Sequence, residues 1–234
     1  LGRQPPGLAI SCRNAIPQGF GLGSSAGAIV TGLLAARALA GGSAGGPGTA
    51  LGDAAVLQLA TEMEGHPDNV AACLAGGLTI AWMSPSGARS TRLSPVAGLV
   101  PVLCVPPAPV LTSVARMALP ASVPHADAAQ NSGRAALLIA ALTCSPELLM
   151  DATEDFLHQR YRAAAMPQTA GLIAGLRAAG VPAVVSGAGP SVLALTMAGA
   201  RPGAGEVAAV AAGQGAGWRV LPLAADLDGA VTGG

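Results

Sequence analysis

The chain has 234 residues, of which 51% are apolar and 10% charged, and its twelve arginines balance twelve acidic residues without any lysine. This length suffices for one large or two small domains with a buried core, and a net charge of zero argues against nucleic acid or an anionic membrane as a main partner. The chain has no run of 18 apolar residues without Gly, Pro or charge, so the sequence predicts no membrane-spanning helix. Residues 1–10 lack the basic-then-apolar order of a signal peptide.

The predicted elements begin with a loose strand over residues 8–16, a glycine-rich loop, and helices over 26–40 and 49–63. A helix starting at Pro67, a strand over 78–83 and a strand over 100–105 follow. The remaining predictions are helices over 127–142, 146–157, 169–179 and 206–212, a strand–turn–strand unit over 184–193, a closing strand over 218–223, and a loose tail over 226–234.

Four cysteines are scattered along the chain without a CxxC pair: Cys12, Cys73, Cys104 and Cys144. Their spacing predicts neither a zinc site nor a disulfide framework. We therefore expect buried, reduced thiols in a cytoplasmic protein.

The loop at residues 17–27 is the most informative stretch, because three alternating glycines precede a helix start. Glycine lets the backbone turn tightly and approach a bound group. Ser24 and Ser25 suit a helix N-terminus, where free N–H groups and the helix dipole favour phosphate. The residues expected to bind a phosphate-containing ligand are Pro17, Gln18, Gly19, Phe20, Gly21, Leu22, Gly23, Ser24, Ser25, Ala26 and Gly27.

Other interpretations of this loop compete with a phosphate site. A Walker loop needs a lysine, which the chain lacks. Residues 21–26 match the GxGxxA dinucleotide fingerprint and residues 23–27 the GxSxG nucleophile elbow, but both motifs need an uninterrupted strand before them, and Pro17-Gln18 interrupts it. A plain helix with a flexible lead-in also stays open.

A second stretch, Glu-Gly-His-Pro-Asp-Asn at residues 64–69, is polar in a chain that is poor in polar groups. A capped helix start alone explains Pro67 and Asp68. The functional alternative is a Mg²⁺ site, since a hard cation takes carboxylate and hydroxyl oxygens. Glu64 and the loop residue Ser25 would be the ligands.

The loop string Pro-x-x-x-Gly-Leu-Gly-Ser-Ser-Ala resembles the phosphate loop of the kinase superfamily that includes galactokinase, homoserine kinase and mevalonate kinase. Residues 64–71, followed by Gly76 and Gly77, resemble homoserine kinases, the actinobacterial members above all. The glycine turn at 186–191 is similar to a superfamily motif that packs against the phosphate loop. The resemblance implies an α+β two-domain small-molecule kinase fold: a ribosomal protein S5-like domain lacking its first strands (residues 1–96) and a ferredoxin-like domain (97–234).

The resemblance also implies roles for single residues. Glu64 matches the family's Mg²⁺ ligand, and Glu64, Asn69 and Arg162 are the candidate catalytic residues. Arginine is suited to clamp a carboxylate of an amino acid substrate. The residues implied to bind the substrate are His66, Asn69, Thr112, Arg116 and Arg162.

The implied reaction is transfer of the γ-phosphoryl group of Mg·ATP to L-homoserine, which gives O-phospho-L-homoserine in threonine biosynthesis; a homodimer is a further expectation. Mevalonate kinases use an aspartate base at a comparable place, so the role of Asp68 stays open. Another kinase of the superfamily, or a fragment that binds nucleotide without turnover, is the alternative. The family's Pro-x-x-x-x-Asn-Leu-Gly-x-Gly-Phe-Asp segment does not precede Pro17, so we expect an N-terminally truncated chain.

Overall fold

The computed structural model describes residues 7–39, 51–110, 112–215 and 217–233, with the side chains of residues 112 and 113 outside that description. The described residues form two compact units. The first comes from residues 7–17, 23–39, 51–94 and 226–233, and the second from residues 18–22, 95–110, 112–215 and 217–225. The chain therefore passes from one unit to the other within the glycine-rich loop, and the predicted domain division at residue 96 stays a prediction.

Where the first unit is described, its residues form three helices and one hairpin: α1 (Ser24–Leu39), α2 (Asp53–Glu64), α3 (Asp68–Ala75), β1 (Leu78–Ser84) and β2 (Gly87–Leu93). None of the described residues of its core is aromatic, in keeping with an aromatic content of 2% in the whole chain. Small apolar residues at helical spacing fill it instead. The buried residues are Ala26, Val30, Leu34, Val56, Leu57, Ala60, Val70, Ala71 and Ala88.

The tail from residue 226 onward was predicted to be loose, and the structure shows that this is wrong for its first half. The N–H of Gly77 donates to the carbonyl oxygen of Asp226 at 2.7 Å, and the N–H of Ala230 donates to that of Leu74 at 3.3 Å. A Cβ on Gly229 would lie 2.6 Å from the carbonyl oxygen of Leu74, so only glycine fits there. The tail is therefore fastened to the end of α3.

The second unit is built on a four-stranded antiparallel sheet with the order β4-β5-β3-β6. The sequence β3-α8-β4-β5-α9-β6 in this strand order is the ferredoxin-like arrangement that the family resemblance implied, and the α+β class is confirmed. The elements are β3 (Leu99–Val105), α4 (Thr112–Met117), α5 (His125–Thr143), a 3₁₀ turn (Pro146–Leu148), α6 (Leu149–Ala152), α7 (Gln159–Arg162), α8 (Pro167–Ala178), β4 (Ala183–Val185), β5 (Val192–Met197), α9 (Ala204–Gly213) and β6 (Arg219–Pro222).

Both faces of this sheet are covered by helices. Because successive strand residues point to opposite faces, Val192 and Ala194 of β5 join the core formed with α8 and α9. Leu195 joins a separate cluster on the other face with Ala141 of α5 and Leu149 of α6. The helices on the two faces thus hold the end of the sheet at which the 186–191 turn connects β4 to β5.

The strand predicted over residues 8–16 is wrong. Residues 7–15 have no regular structure, and Leu8 and Ile10 are 57% and 74% exposed. A strand needs a partner for its backbone groups, and no strand among the described residues pairs with this segment.

The helix predicted over residues 146–157 is also wrong beyond its first turns. The hydroxyl of Thr153 donates to the carbonyl oxygen of Leu149 at 2.7 Å, and α6 ends at Ala152. The carboxylate of Asp155 then accepts the N–H groups of Leu157 at 2.7 Å, His158 at 2.9 Å and Gln159 at 3.2 Å. Asp155 therefore starts the short helix α7, because its side chain satisfies backbone donors that a continuous helix would have used.

The expectation of four buried thiols is only partly right. All four cysteines are free, but Cys12 and Cys144 are exposed, whereas Cys104 is buried. Burial raises the pKa of the Cys104 thiol to about 11. None of the described helices combines the length and the apolar character that crossing a membrane requires.

Candidate active site

The first half of the glycine-rich loop is locked onto the 186–191 turn inside the second unit. The hydroxyl of Ser186 donates to the carbonyl oxygen of Gly21 at 2.9 Å. A Cβ on Gly21 would overlap the carbonyl oxygen of Ser186 and lie 2.7 Å from the nitrogen of Gly189. The packing of the glycine turn against the loop, which the resemblance implied, is thus confirmed, and two backbones meet where no side chain fits.

Gly21 and Gly23 share the same positive φ but have different surroundings. Both have φ +71°, which costs a residue with a Cβ about 1–2 kcal/mol. A Cβ on Gly23 meets only Asn69, at an ordinary 3.8 Å. Gly21 therefore packs against backbone, whereas a Cβ at Gly23 would make only an ordinary contact with Asn69.

We expect Gly21→Ala to destabilise the protein far more than Gly23→Ala. Both variants carry the same backbone cost, but only the first adds overlap with a backbone that cannot move aside, worth about 1–3 kcal/mol more. Thermal unfolding followed by circular dichroism measures the difference, and Gly23→Ala is the matched control. Equal melting temperatures would show that the loop does not pack against the 186–191 turn as described.

The start of α1 carries the second half of the loop in the first unit. The N–H of Gly27 donates to the carbonyl oxygen of Gly23 at 3.0 Å, which closes the first turn. The N–H groups of the residues before Gly27 have no intrahelical acceptor. Ala26 is fully buried against the core, so the turn is rigidly placed. This helix end is a ready site for an anion.

The two predicted metal ligands meet in this unit. The hydroxyl of Ser25 donates to Oε2 of Glu64 at 2.6 Å, although 39 residues separate them. Among the residues that the structure describes, no group of three or more His, Cys, Asp and Glu side chains could hold a metal by itself. One hydroxyl and one carboxylate suit Mg²⁺, which is usually bound through one or two carboxylates plus substrate phosphates and water.

The polar stretch 64–69 forms the corner between α2 and α3. The N–H of Gly65, with φ +89°, donates to the carbonyl oxygen of Thr61 at 2.8 Å and ends α2. Nδ1 of His66 lies 2.5 Å from Oδ1 of Asp68, which also accepts the N–H of Asn69 at 2.7 Å. The corner thus holds a histidine, a carboxylate and an amide side by side.

Arg162 is held in place within the second unit by two carbonyl groups. Its Nε–H donates to Ala115 at 3.2 Å and its Nη1 donates to Gly187 at 3.1 Å. Burial, and to a smaller degree the positive charge of Arg116, lowers the pKa of Arg162, while Asp155 opposes this shift. Two like charges close together make a site that an anion would stabilise.

The other predicted cations differ from Arg162. Arg116 is exposed on α4, and no carboxylate of the described residues lies within ion-pair distance of it. Arg160 pairs with Asp127 and donates to the hydroxyl of Tyr161 at 2.8 Å, so its charge is already paired at the surface. Thr112 begins α4, but its side chain lies outside the described residues.

Asp155 is a residue near this site that the sequence interpretation missed. Burial opposes its ionisation, but hydrogen bonds from His158 and from the N–H groups of Leu157 and His158 outweigh burial and lower its pKa to about 2. A carboxylate four residues before the first residue of a short polar helix was the available signal. Asp155 caps α7, at whose end Arg162 lies.

We expect Asp155→Asn to lower the free energy of unfolding at neutral pH by about 2 kcal/mol. Because the folded pKa lies below the ordinary value of 3.8, this contribution is present above that value and is lost as the pH falls towards about 2. Urea unfolding at neutral and acidic pH measures it, with Asp151→Asn, an exposed carboxylate of α6, as the control. A difference between wild type and Asp155→Asn that stayed constant with pH would reject the assignment.

Comparisons with known proteins agree with this geometry. The model of the GHMP kinases N terminal domain matches residues 1–77. A homoserine kinase of Streptomyces avermitilis is 56% identical over 98% of this chain and 72% of its own length. A homoserine kinase of Streptomyces coelicolor is 60% identical over 83% of this chain and 62% of its own length. The crystal structure of homoserine kinase from Cytophaga hutchinsonii superposes with a TM-score of 0.76 at 26% identity, covering 92% of this chain and 69% of that chain.

Proposed function

Because the chain belongs to the homoserine kinases of the GHMP kinase family, we propose that it transfers the γ-phosphoryl group of ATP to the hydroxyl of L-homoserine. The product is O-phospho-L-homoserine, and the setting we propose is threonine biosynthesis in the cytoplasm. The homodimer stays an expectation.

One observation carries this proposal: three kinds of group meet at the start of α1. Gly23 and the first turn offer backbone N–H groups, Ser25 and Glu64 offer a hydroxyl and a carboxylate 2.6 Å apart, and Asn69 lies beside Gly23. A phosphate chain, a cation and an acceptor hydroxyl need these partners during phosphoryl transfer. We propose that the phosphate chain binds at the N–H groups, the cation between Ser25 and Glu64, and the acceptor hydroxyl at Asn69.

Mg²⁺ fits the Ser25–Glu64 pair, since both supply hard oxygen ligands. When bound, the ion supplies neutralisation of the phosphate charge that develops during transfer. The residues of the chain do the rest by binding and orientation. Phosphoryl transfer is largely positioning and electrostatic stabilisation, so the proposal does not depend on a catalytic base.

The substrate end is assigned to the arginines of the second unit. We propose that Arg162 clamps the α-carboxylate of homoserine and that Arg116 assists it. The Nε and one Nη of Arg162 are already fixed on carbonyl groups, which leaves its remaining donors in a set direction. We propose that His66 and Thr112 add further contacts.

A substrate panel tests the proposal. The full-length gene product is assayed for ADP release with L-homoserine, mevalonate and galactose as acceptors. We expect kcat/KM for homoserine to exceed that for galactose at least a hundredfold, since galactose has no carboxylate and losing that contact alone costs about 2–5 kcal/mol. Mevalonate has a carboxylate but is one carbon longer and lacks the α-amino group, so we expect it to be a poorer acceptor than homoserine as well. Preference for mevalonate would establish the second candidate of the superfamily, and ATP binding without turnover on any acceptor would leave only a nucleotide-binding role.

A further inference from the structure

The carboxylate of Asp68 is engaged by its own neighbours. Oδ1 lies 2.5 Å from Nδ1 of His66 and accepts the N–H of Asn69 at 2.7 Å. The side chain of Asp68 is 72% exposed, whereas that of His66 is 29% exposed. His66 and Asn69 are the two residues of this corner to which the family resemblance gives a substrate role. Asp68 contacts both of them instead of facing only water.

This contact fixes which nitrogen of His66 carries a proton. A carboxylate can only accept hydrogen bonds, so Nδ1 must be the donor. In a neutral imidazole the other nitrogen, Nε2, is then unprotonated, and it is the nitrogen left for a further partner. The same contact fixes the ring plane, because Asp68 is itself held by the N–H of Asn69 in the first turn of α3.

The contact also argues against Asp68 as the base. A carboxylate oxygen that already accepts two hydrogen bonds from its own chain has less capacity left for a substrate proton. The role of Asp68 is therefore to be sought in its contact with His66.

We propose that Asp68 is a positioning residue: it holds the Nδ1–H tautomer of His66, so that Nε2 is the nitrogen that contacts the substrate. This inference rests on the proposed function, since it takes His66 as a substrate contact. It extends that function by giving Asp68, the second acidic residue of the corner beside Glu64, a role other than proton abstraction or metal binding.

The tautomer is tested without any substrate. The protein is labelled with ¹⁵N-histidine and its imidazole correlations are recorded at alkaline pH, where imidazoles are neutral. The three histidines are His66, His125 and His158, and His66→Gln identifies the signals of His66. We expect His66 to be protonated at Nδ1 in the wild type and to lose that preference in Asp68→Ala, while His158 is unchanged. An Nε2–H signature in the wild type, or the same signature in both proteins, would overturn the proposal.

Kinetics separate a positioning residue from a base. We expect Asp68→Ala to raise the KM for homoserine about tenfold, the scale found for partners that orient metal-bound histidines, and to leave the KM for ATP within twofold. Asp68→Asn keeps an acceptor oxygen and should recover part of the loss. A base would instead show a fall in kcat of about 10²–10⁴-fold in both variants, which would overturn the proposal. A wild type that shows the Nδ1–H signature but does not phosphorylate homoserine would refute the proposed function and, with it, the substrate role of His66. The spectrum would still decide which nitrogen of His66 carries the proton.

Discussion

Replacing Glu64 by glutamine lowers kcat by about a hundredfold or more, the equivalent of about 3 kcal/mol in the transition state. The amide keeps the size of the side chain and its ability to accept the hydroxyl of Ser25, now 2.6 Å from Oε2. It removes the negative charge, which is what a divalent cation needs. The protein should fold normally, because Glu64 belongs to neither hydrophobic core nor a buried ion pair.

The measurement is steady-state turnover of the full-length gene product at varied Mg²⁺ and saturating ATP. Glu62→Gln is the matched control: Glu62 lies on the same helix, is exposed and accepts a hydrogen bond from Gln58 at 2.9 Å. We expect Glu64→Gln to recover in part at high Mg²⁺ and Glu62→Gln to match the wild type. Near-normal turnover of Glu64→Gln at low Mg²⁺ would contradict the metal assignment.

Replacing Arg162 by lysine raises the KM for homoserine at least tenfold, which corresponds to about 1.4 kcal/mol. The guanidinium donates to Ala115 and Gly187 at 3.2 and 3.1 Å and still has donors for a carboxylate. An ammonium group is a point charge with three donors and cannot reproduce this planar arrangement. Lysine should therefore behave nearly as badly as alanine, for which the loss is about 2–5 kcal/mol.

The test varies homoserine and ATP separately and uses Arg160→Lys as the control, since Arg160 pairs with Asp127 on the surface. We expect the KM for ATP to stay within twofold in both variants and the KM for homoserine to rise only in Arg162→Lys. A KM for homoserine within twofold of wild type in Arg162→Lys would assign the carboxylate to another residue.

Much of this fold could be predicted because its signals are local. The apolar spacing after Ser25 predicts α1, Gly65 marks the end of α2, and the valine-rich run before the 186–191 turn predicts β4. Each feature depends on residues within a few positions of one another, which is the range that periodicity and capping describe.

The failures depend on partners far along the chain or on single side-chain contacts. The apolar alternation at residues 8–16 is not enough for a strand, because a strand exists only with a partner. Asp155 stops a helix that propensity favours, since its carboxylate competes for backbone donors. Gly229 approaches Leu74 closely although the two positions are 155 residues apart, and the sequence around either residue gives no signal for this contact.

The candidate site, like the fold, was predicted in part. The sequence suggested Ser25 and Glu64 as a pair, and the structure brings them together. It did not suggest that Asp68 binds the ring of His66, because a capped helix start already explained the aspartate. Their roles in binding metal and substrate stay predictions that the variants above address.

The central claim is that this chain moves a phosphoryl group from ATP to the hydroxyl of homoserine. Phosphorus NMR of the full-length gene product with Mg²⁺, ATP and L-homoserine follows the group itself. We expect one phosphomonoester signal, coupled to the terminal methylene protons of homoserine, to grow in equal amount with ADP. Growth of inorganic phosphate with ADP and no phosphomonoester, or an unchanged ATP spectrum, would contradict the claim.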